Sequence, residues 1–250
     1  MGKPARQQYP PVAEATDAEH LSMVREIFST ITGRYDSLNH LLSLGRDIAW
    51  RRSAVRKMRF FRTYQLLDVA TGTADMAIDA ARRHPSIRVT GLDFVREMMD
   101  VGRGKIEKNH LSERIRLIMG DALDLPFHDN SFDVAGMAFS VRNIPNKTRA
   151  LREMVRVVVP GGQVMVLEMT FPRSRLLGGI YHAYLNRMLP TLARTLSPNP
   201  AAYSYLADSI MNFPSPENFA GLMSEAGIKN VEKFPLTLGI THLYVGIKLP

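Results

Sequence analysis

Residues 66–75 read Leu66-Leu67-Asp68-Val69-Ala70-Thr71-Gly72-Thr73-Ala74-Asp75, and this stretch decides the fold. An apolar strand ends in a turn of small residues, which leads directly into a segment with helical apolar spacing. Because Gly72 has no Cβ, backbone N–H groups of such a turn can approach a ligand at the N-terminus of the helix. The segment predicts a ligand-binding loop. The alternative is a plain strand-to-helix turn that uses glycine for its geometry alone.

Short β-rich runs alternate with amphipathic helical stretches from Gln65 onward, which predicts a parallel sheet with crossover helices. The predicted strands span 65–70, 87–92, 115–119, 132–138 and 163–169, and the predicted helices span 75–83, 96–108 and 147–157. A helix at 216–226 and two strands at 231–236 and 240–248, joined by a turn at Gly239, predict an antiparallel hairpin at the sheet edge. We therefore expect a doubly wound α/β fold with a mostly parallel, seven-stranded sheet.

Two flanking segments are predicted to be helical. Residues 1–62 are interpreted as a polar leader and a helical lid, because 18–61 carries an interrupted apolar stripe. Residues 63–250 are interpreted as the ligand-binding domain, with a helical insertion at 174–213 that we expect to select the substrate.

The composition is that of a globular chain, with 250 residues, 45% apolar and 22% charged. Cysteine is absent, which excludes disulfides, thiolate metal sites and cysteine nucleophiles and favours a reducing compartment, so a cytoplasmic location is expected. The N-terminus lacks the apolar core of a secretory signal, and no run of about 18 apolar residues predicts a membrane span. No His or carboxylate cluster has metal-ligand spacing, so no metal site is predicted.

The net charge of +8 is compatible with nucleic acid, a membrane surface or an anionic substrate as partner. The densest basic group lies on a stretch with roughly helical apolar spacing and comprises Arg46, Arg51, Arg52, Arg56, Lys57, Arg59 and Arg62. We interpret it as a solvated helix face. Contact with lipid head groups is the main alternative, and nucleic acid is the least favoured.

Acidic residues after the next two strands complete a predicted nucleoside site. Asp93 is placed to accept hydrogen bonds from both hydroxyls of a ribose, and Asp121 can accept the adenine amino group beside the small Ala122. Each acid has the alternative interpretation of an ordinary loop or turn aspartate. Only Gly72 remains of the G-x-G-x-x-G pattern that cradles a pyrophosphate, so S-adenosylmethionine fits better than a dinucleotide. The predicted cofactor ligands are Asp68, Ala70, Gly72, Thr73, Asp75, Asp93, Phe94, Met98, Asp121, Ala122, Ala138 and Phe139.

Two longer stretches resemble the class I S-adenosylmethionine-dependent methyltransferases and, among them, the ubiquinone/menaquinone biosynthesis C-methyltransferase family. The first is Tyr35-Asp36-Ser37-Leu38-Asn39, continuing to Ser43, Gly45 and Trp50; the second is Arg142-Asn143-Ile144, followed by motifs at 150–154 and 156–162. The resemblance covers nearly the whole chain. It implies a Rossmann-like methyltransferase fold and methyl transfer to a ring carbon of a polyprenylated quinol, with a demethylmenaquinol-type substrate favoured.

The resemblance also implies that Arg142, Asn143 and Tyr35 are catalytic residues near the substrate. Methylation at carbon is helped by a phenolate, and a phenol ionises at about pH 10 in water. Arg142 is a poor base because it stays protonated, so we expect it to stabilise the phenolate and position water, with Asn143 and Tyr35 orienting the ring. In the alternative, Arg142 and Asn143 cap the following helix and pair with Asp133 or Glu153. The further candidates for substrate contact are Asp36, Asn39, Tyr181, Tyr184 and Tyr203.

Four positions depart from the family pattern: Ala74 replaces a glycine, Asp47 and Tyr244 replace histidines, and Ala138 replaces a serine. Ala74 is tolerable at negative φ and costly in the left-handed region. The expected partners are a lipophilic quinol and the inner face of the cell membrane, bound peripherally; a homodimer is left open, and no nucleic acid is expected. A methyltransferase for another small aromatic or RNA substrate, and a non-catalytic relative, remain alternatives.

Overall fold

The sheet that the sequence predicts is present, with seven strands among the described residues. The computed structural model describes residues 17–172, 174–188, 191, 199 and 201–249. The strands are β1 (Gln65–Val69), β2 (Arg88–Asp93), β3 (Ile115–Met119), β4 (Phe132–Ala138), β5 (Val158–Met169), β6 (Lys229–Leu236) and β7 (Thr241–Ile247). Their order is β3-β2-β1-β4-β5-β7-β6. β1 to β5 pair in parallel, and β7 pairs antiparallel with both β5 and β6, which confirms the predicted topology.

Helices cover both faces of the sheet and its carboxyl end. They are α1 (Asp17–Ile31), α2 (Tyr35–Leu42), α3 (Arg46–Lys57), α4 (Asp75–Arg83), α5 (Arg96–Lys108), α6 (Lys147–Val157), α7 (Arg175–Ala183), α8 (Ala201–Met211) and α9 (Pro216–Glu225). Of the described helices, none is long and apolar enough to cross a bilayer. Asn146 accepts a hydrogen bond from Arg149 N–H (3.0 Å) and so begins α6 at the predicted residue.

Strand β5 begins five residues earlier than predicted, at Val158 rather than Gln163. The predicted strand begins only after Pro160-Gly161-Gly162. The observed strand continues through these residues, with a register shift opposite 132–134. Gly161 has φ +82°, and a Cβ on Gly162 would lie 2.6 Å from the Asp133 carbonyl oxygen. The glycines therefore permit a bulge rather than ending the strand.

Two apolar layers pack on the faces of the sheet, and a third cluster packs over its carboxyl end. The third cluster joins α1, through residues such as Val24 and Ile27, to Tyr181, Leu185 and Ile210. The predicted lid and the predicted insertion thus form one helical layer. The leader at 1–16 and residues 173, 189–190, 192–198 and 200 of the insertion lie outside the described residues.

The segment between α3 and β1 is fixed to the sheet by two buried polar side chains. Both carboxylate oxygens of Asp133 accept backbone N–H groups from residues 61–64, at 2.8 to 3.2 Å. The Gln163 amide accepts from Arg59 N–H (2.7 Å) and donates to the Lys57 carbonyl (3.1 Å). These bonds hold the end of α3 at the amino end of the sheet, so the start of α3 lies at the carboxyl end.

Candidate functional site

A cleft opens at the carboxyl ends of β1, β2 and β4. In an open α/β sheet this is the usual place for a small-molecule site. Every residue predicted to bind the cofactor lines this cleft, because each follows the end of a parallel strand or begins the next helix. Leu21, Val24 and Phe28 of α1 line it as well, which the sequence did not indicate.

Several residues at the cleft have left-handed backbone conformations. Ala70 (φ 53°), Gly72 (φ 56°) and Phe139 (φ 58°) line the cleft, and Ala74 (φ 65°) lies between the lining residues Thr73 and Asp75. For residues with a Cβ this conformation costs about 1–2 kcal/mol each, and such strain concentrates at functional sites. Ala74 is therefore in the costly of its two predicted conformations.

Asp93 joins the loop after β1 to the end of β2. Its Oδ2 accepts Gly72 N–H (2.7 Å) and its Oδ1 accepts Val95 N–H (2.9 Å). The Gly72 N–H is therefore bound within the protein, and the approach of backbone N–H groups of this loop to a ligand stays a prediction for the other N–H groups. Each carboxylate oxygen has two lone pairs, so Asp93 can still accept ribose hydroxyls. Burial raises the pKa of Asp93, and the hydrogen bonds from Val95 and Gly72 oppose that rise.

Asp68 lies at the floor of the cleft, with 1% of its surface exposed. Burial raises the pKa of Asp68 to about 7, against the opposing effect of a hydrogen bond from Thr71 Oγ1 (2.7 Å). Asp121 is exposed and accepts Leu123 N–H (2.8 Å), as a turn aspartate does, while also lining the cleft. Asp121 is thus a turn aspartate at the edge of the cleft, and its contact with adenine stays a prediction.

Arg142 is buried against Glu168 of β5. Arg142 Nη1 donates to Glu168 Oε1 and to the Phe139 carbonyl, both at 2.6 Å, and Arg142 N–H donates to Glu168 Oε2 (3.2 Å). The alternative pairing is wrong, since Asp133 binds the 61–64 segment and Glu153 binds Arg156. Arg142 itself is not among the residues lining the cleft, whereas its neighbour Asn143 is.

Glu168, the buried partner of Arg142, was not predicted as a site residue. It is fully buried and also accepts Met169 N–H (2.8 Å). The available signal was a carboxylate within the apolar run of β5, because a buried acid requires a charged or hydrogen-bonding partner. The identity of that partner depends on a contact 26 residues away, which no local pattern encodes.

Tyr35 and Tyr205 place hydroxyl groups beside Arg142 and Asn143. Burial raises the pKa of Tyr35, and the nearby charge of Arg142 opposes that rise, so the phenol stays protonated and can donate a hydrogen bond. Tyr35 and Asn143 line the cleft together. The Tyr205 hydroxyl donates to Asn143 Oδ1 (3.1 Å) and lies 3.0 Å from His20 Nε2, so α8 orients Asn143. Tyr205 was not predicted as a site residue.

The predicted substrate contacts do not line the cleft. Asp36 accepts hydrogen bonds from Thr73 Oγ1 (2.7 Å) and Lys105 Nζ (2.8 Å), and so connects α2 to the loop after β1. Asn39 forms a hydrogen bond with Tyr35. The rings of Tyr181 and Tyr184 stack with centroids 6.1 Å apart, inside the apolar cluster that also contains the buried Tyr203. Contact of these five residues with a substrate stays a prediction.

Arg51 differs from the rest of the basic group. It is 9% exposed and lines the cleft, whereas the other members of that group are exposed. The interpretation as a solvated helix face is therefore wrong for Arg51. Asp47, at a position where the family pattern has histidine, accepts hydrogen bonds from Ser43 Oγ and Arg51 Nη2, both at 2.6 Å. Tyr244 is fully buried and packs edge-on against Phe219.

The strand order, the cleft at the carboxyl end and the acids at successive strand ends define the class I methyltransferase fold. Two solved structures share it. An S-adenosylmethionine-dependent methyltransferase of Thermotoga maritima, described as a possible histamine N-methyltransferase, has a TM-score of 0.62 at 20% identity, over 89% of this chain and 98% of that one. The YcgJ protein of Bacillus subtilis has a TM-score of 0.58 at 16% identity, over 81% and 99%.

Sequence comparison narrows the class to a family. The model of the ubiE/COQ5 methyltransferase family matches residues 14–248. The ubiquinone/menaquinone biosynthesis C-methyltransferase UbiE of Geotalea daltonii is 42% identical over 226 residues, which are 90% of this chain and 96% of that protein. The demethylmenaquinone methyltransferase of Deinococcus radiodurans is 41% identical over 239 residues, 96% of this chain and 97% of that protein. The chain belongs to the ubiE/COQ5 methyltransferase family, and its methyl donor is S-adenosylmethionine.

Proposed function

We propose that the protein methylates a ring carbon of a polyprenylated quinol, with a demethylmenaquinol-type substrate favoured. The observation that carries the proposal is the buried Arg142–Glu168 pair, which lies beside two cleft residues, Asn143 and Tyr35. The names of the relatives from Geotalea daltonii and Deinococcus radiodurans support the same substrate class.

The cofactor residues divide according to the parts of the donor. Asp93 holds the ribose, Asp121 and Ala122 hold the adenine, and the loop at 70–75 holds the methionine end. The bound donor supplies an electrophilic methyl group on a sulfonium, so the protein has to supply a nucleophilic carbon rather than activate the methyl group.

Arg142 raises the electron density of the quinol ring by favouring its ionised hydroxyl. Arg142 Nε is buried without a hydrogen-bond partner among the described residues, and the three described hydrogen bonds of Arg142 use its backbone N–H and Nη1, which leaves other N–H groups of the guanidinium for a substrate oxygen. Because Glu168 balances the charge of Arg142, the effect comes from a directed N–H and its short-range field. Asn143 and Tyr35 orient the ring by hydrogen bonds. As the ring carbon bonds to the methyl group, the sulfur–methyl bond would break and leave the neutral thioether S-adenosylhomocysteine. The ring proton would then pass to water, and protonation of the phenolate oxygen would restore the quinol.

The test is mass spectrometry of the quinones in a strain from which the gene has been deleted. We expect the main quinone to be replaced by a species lighter by one CH₂ group, and expression of the gene to reverse the change. An unaltered quinone profile would refute the proposed substrate class. Radioactive methyl transfer to quinol extracts distinguishes an enzyme from a non-catalytic relative.

We further propose that the protein works on the cytoplasmic side of the membrane, bound peripherally at the rim of the cleft. Exposed large apolar side chains lie in turns and helices at the carboxyl end of the sheet: Leu44 (85%), Leu176 (75%), Ile180 (61%), Met188 (55%) and Leu238 (75%). We call these residues the apolar rim. Residues 169–207 include four arginines and no acidic residue, which suits an anionic lipid surface.

We propose that the apolar rim, and not the basic helix face, contacts the membrane. The exposed basic residues Arg56, Lys57, Arg59 and Arg62 lie at the amino end of the sheet, where Gln163 and Asp133 hold the chain. A lipid-tailed quinol that left the bilayer there would emerge at the end of the sheet opposite to the cleft. A homodimer stays a prediction.

A further inference from the structure

Arg51 carries a positive charge into a cleft whose other charged groups are acids. Among the described residues that line the cleft, it is the one lysine or arginine, and it faces the cleft together with Asp68, Asp75, Asp93 and Asp121. Its position comes from α3, which the contacts of Gln163 and Asp133 hold against the sheet.

The guanidinium of Arg51 is held in place but only partly satisfied. Arg51 Nη2 donates to Asp47 Oδ2 (2.6 Å) and lies 3.1 Å from Asp75 Oδ2. Arg51 Nε is buried without a hydrogen-bond partner, and no described residue accepts a bond from Nη1. Unfilled N–H groups on a buried cation cost free energy, so this arrangement is expected where a ligand supplies the missing acceptor.

We propose that Arg51 binds the α-carboxylate of the methionine end of the cofactor. This inference rests on the proposed cofactor site and names the group that one of its residues binds. The methionine end carries an ammonium and a carboxylate. The ammonium is complementary to the acids Asp68 and Asp75, whereas the carboxylate would be repelled by them unless a cation stood beside it. Arg51 supplies that cation, and Asp47 fixes its direction.

The test compares two ligands by isothermal titration calorimetry: S-adenosylhomocysteine, which keeps the carboxylate, and its decarboxylated counterpart, in which hydrogen replaces it. The wild-type protein should bind the first about 10- to 100-fold more tightly, as expected for a charged hydrogen bond. Arg51→Met should remove most of this preference by weakening binding of the first ligand. Arg52→Met is the matched control, because Arg52 is the next residue of α3 and is exposed; its preference should be that of the wild type.

Equal binding of the two ligands by the wild-type protein would overturn the inference while leaving the cofactor site intact, and this result does not depend on whether a variant folds. Binding of neither ligand would overturn the cofactor site itself. If Arg51→Met lowered the affinity for both ligands equally, the role of Arg51 would be to position Asp75, and the inference would be refuted. Arg51→Lys, which keeps the charge beside Asp47, should keep part of the preference; complete loss in a folded Arg51→Lys protein would count against a charge-based contact.

Discussion

We expect Asp68 to make cofactor binding depend on pH. Burial raises its pKa to about 7, so the empty cleft holds it protonated in mild acid. A cationic ligand favours the ionised carboxylate, and binding below that pKa therefore has to release a proton. We expect affinity for S-adenosylmethionine to rise between about pH 5.5 and 7, by up to about tenfold per pH unit, and to level off above. Calorimetry in buffers of different ionisation enthalpy measures the released proton.

The same carboxyl affects stability with the opposite sign. Because the pKa of Asp68 in the folded protein lies above its ordinary value of 3.8, the folded state holds this proton more tightly. The free energy of unfolding without ligand should thus fall as pH rises from about 4 to about 7 and then stay constant. Asp68→Asn removes both dependences. A flat affinity profile in the unmodified protein would contradict this account.

Arg142 and Glu168 have to be changed together to test the proposed chemistry. Removing Arg142 alone leaves a buried carboxylate without its partner, which destabilises a protein by about 3–5 kcal/mol. The double variant Arg142→Gln, Glu168→Gln keeps neutral hydrogen-bonding groups, so we expect a folded protein with nearly unchanged cofactor affinity. Its turnover should fall by about 10²- to 10³-fold. Glu168→Gln alone retains the cation and should lose less; normal turnover in the double variant would exclude Arg142 from catalysis.

At the scale of single residues, the sequence predicted positions well and partners poorly. The residues predicted to bind the cofactor lie at strand ends, and parallel strands bring their carboxyl ends together, so local pattern was sufficient to place them in one cleft. Arg51 was misread because helical spacing alone does not show that Asp47 and Asp75 draw one arginine inward. The hydrogen bond from Tyr205 to Asn143 joins residues that are 62 positions apart in the sequence. The local sequence of neither segment predicts that the two pack together.

Among the elements, α4, α5 and α6 have the predicted bounds because each has a strongly amphipathic pattern, and α6 also has a capping side chain, Asn146, at its start. β5 was predicted too short, since glycine and proline in sequence do not distinguish a bulge from a strand end. The segment between α3 and β1 illustrates a third case, in which one buried acid organises a whole connection.

Asp133→Ala tests that connection. The substitution leaves the N–H groups of residues 61–64 without their acceptor, and hydrogen bonds to a charged group are worth about 1.5–3 kcal/mol each. We expect the free energy of unfolding, measured with urea, to fall by about 3 kcal/mol or more. Asp129→Ala is the control: its carboxylate is exposed and pairs with Arg156, so its loss should cost less than about 1 kcal/mol. Equal effects would show that the anchoring is unimportant.

For the whole molecule, the apolar rim lies at the carboxyl end of the sheet, and the exposed basic residues at 56–62 lie at its amino end. Vesicle binding can show which of these two surfaces contacts the membrane. Ile180→Asp combined with Leu238→Asp should reduce co-sedimentation with anionic vesicles by about tenfold or more, because inserted side chains would become charged. Phe61→Asp is a matched substitution, since Phe61 is an exposed apolar residue at the opposite end. Loss of binding in Phe61→Asp alone would reverse the proposed orientation, and retention on RNA without vesicle binding would favour the RNA alternative.

Lys105 of α5 pairs with Asp75 and with Asp36, and Asp36 also binds Thr73. The loop at 70–75, which we propose holds the methionine end of the donor, is thereby linked to the residue next to Tyr35. If the quinol bound first, the site that orients its ring would not yet be complete. We therefore expect an ordered mechanism in which the donor binds first and S-adenosylhomocysteine leaves last. In steady-state kinetics S-adenosylhomocysteine should be a competitive inhibitor with respect to the donor but not with respect to the quinol.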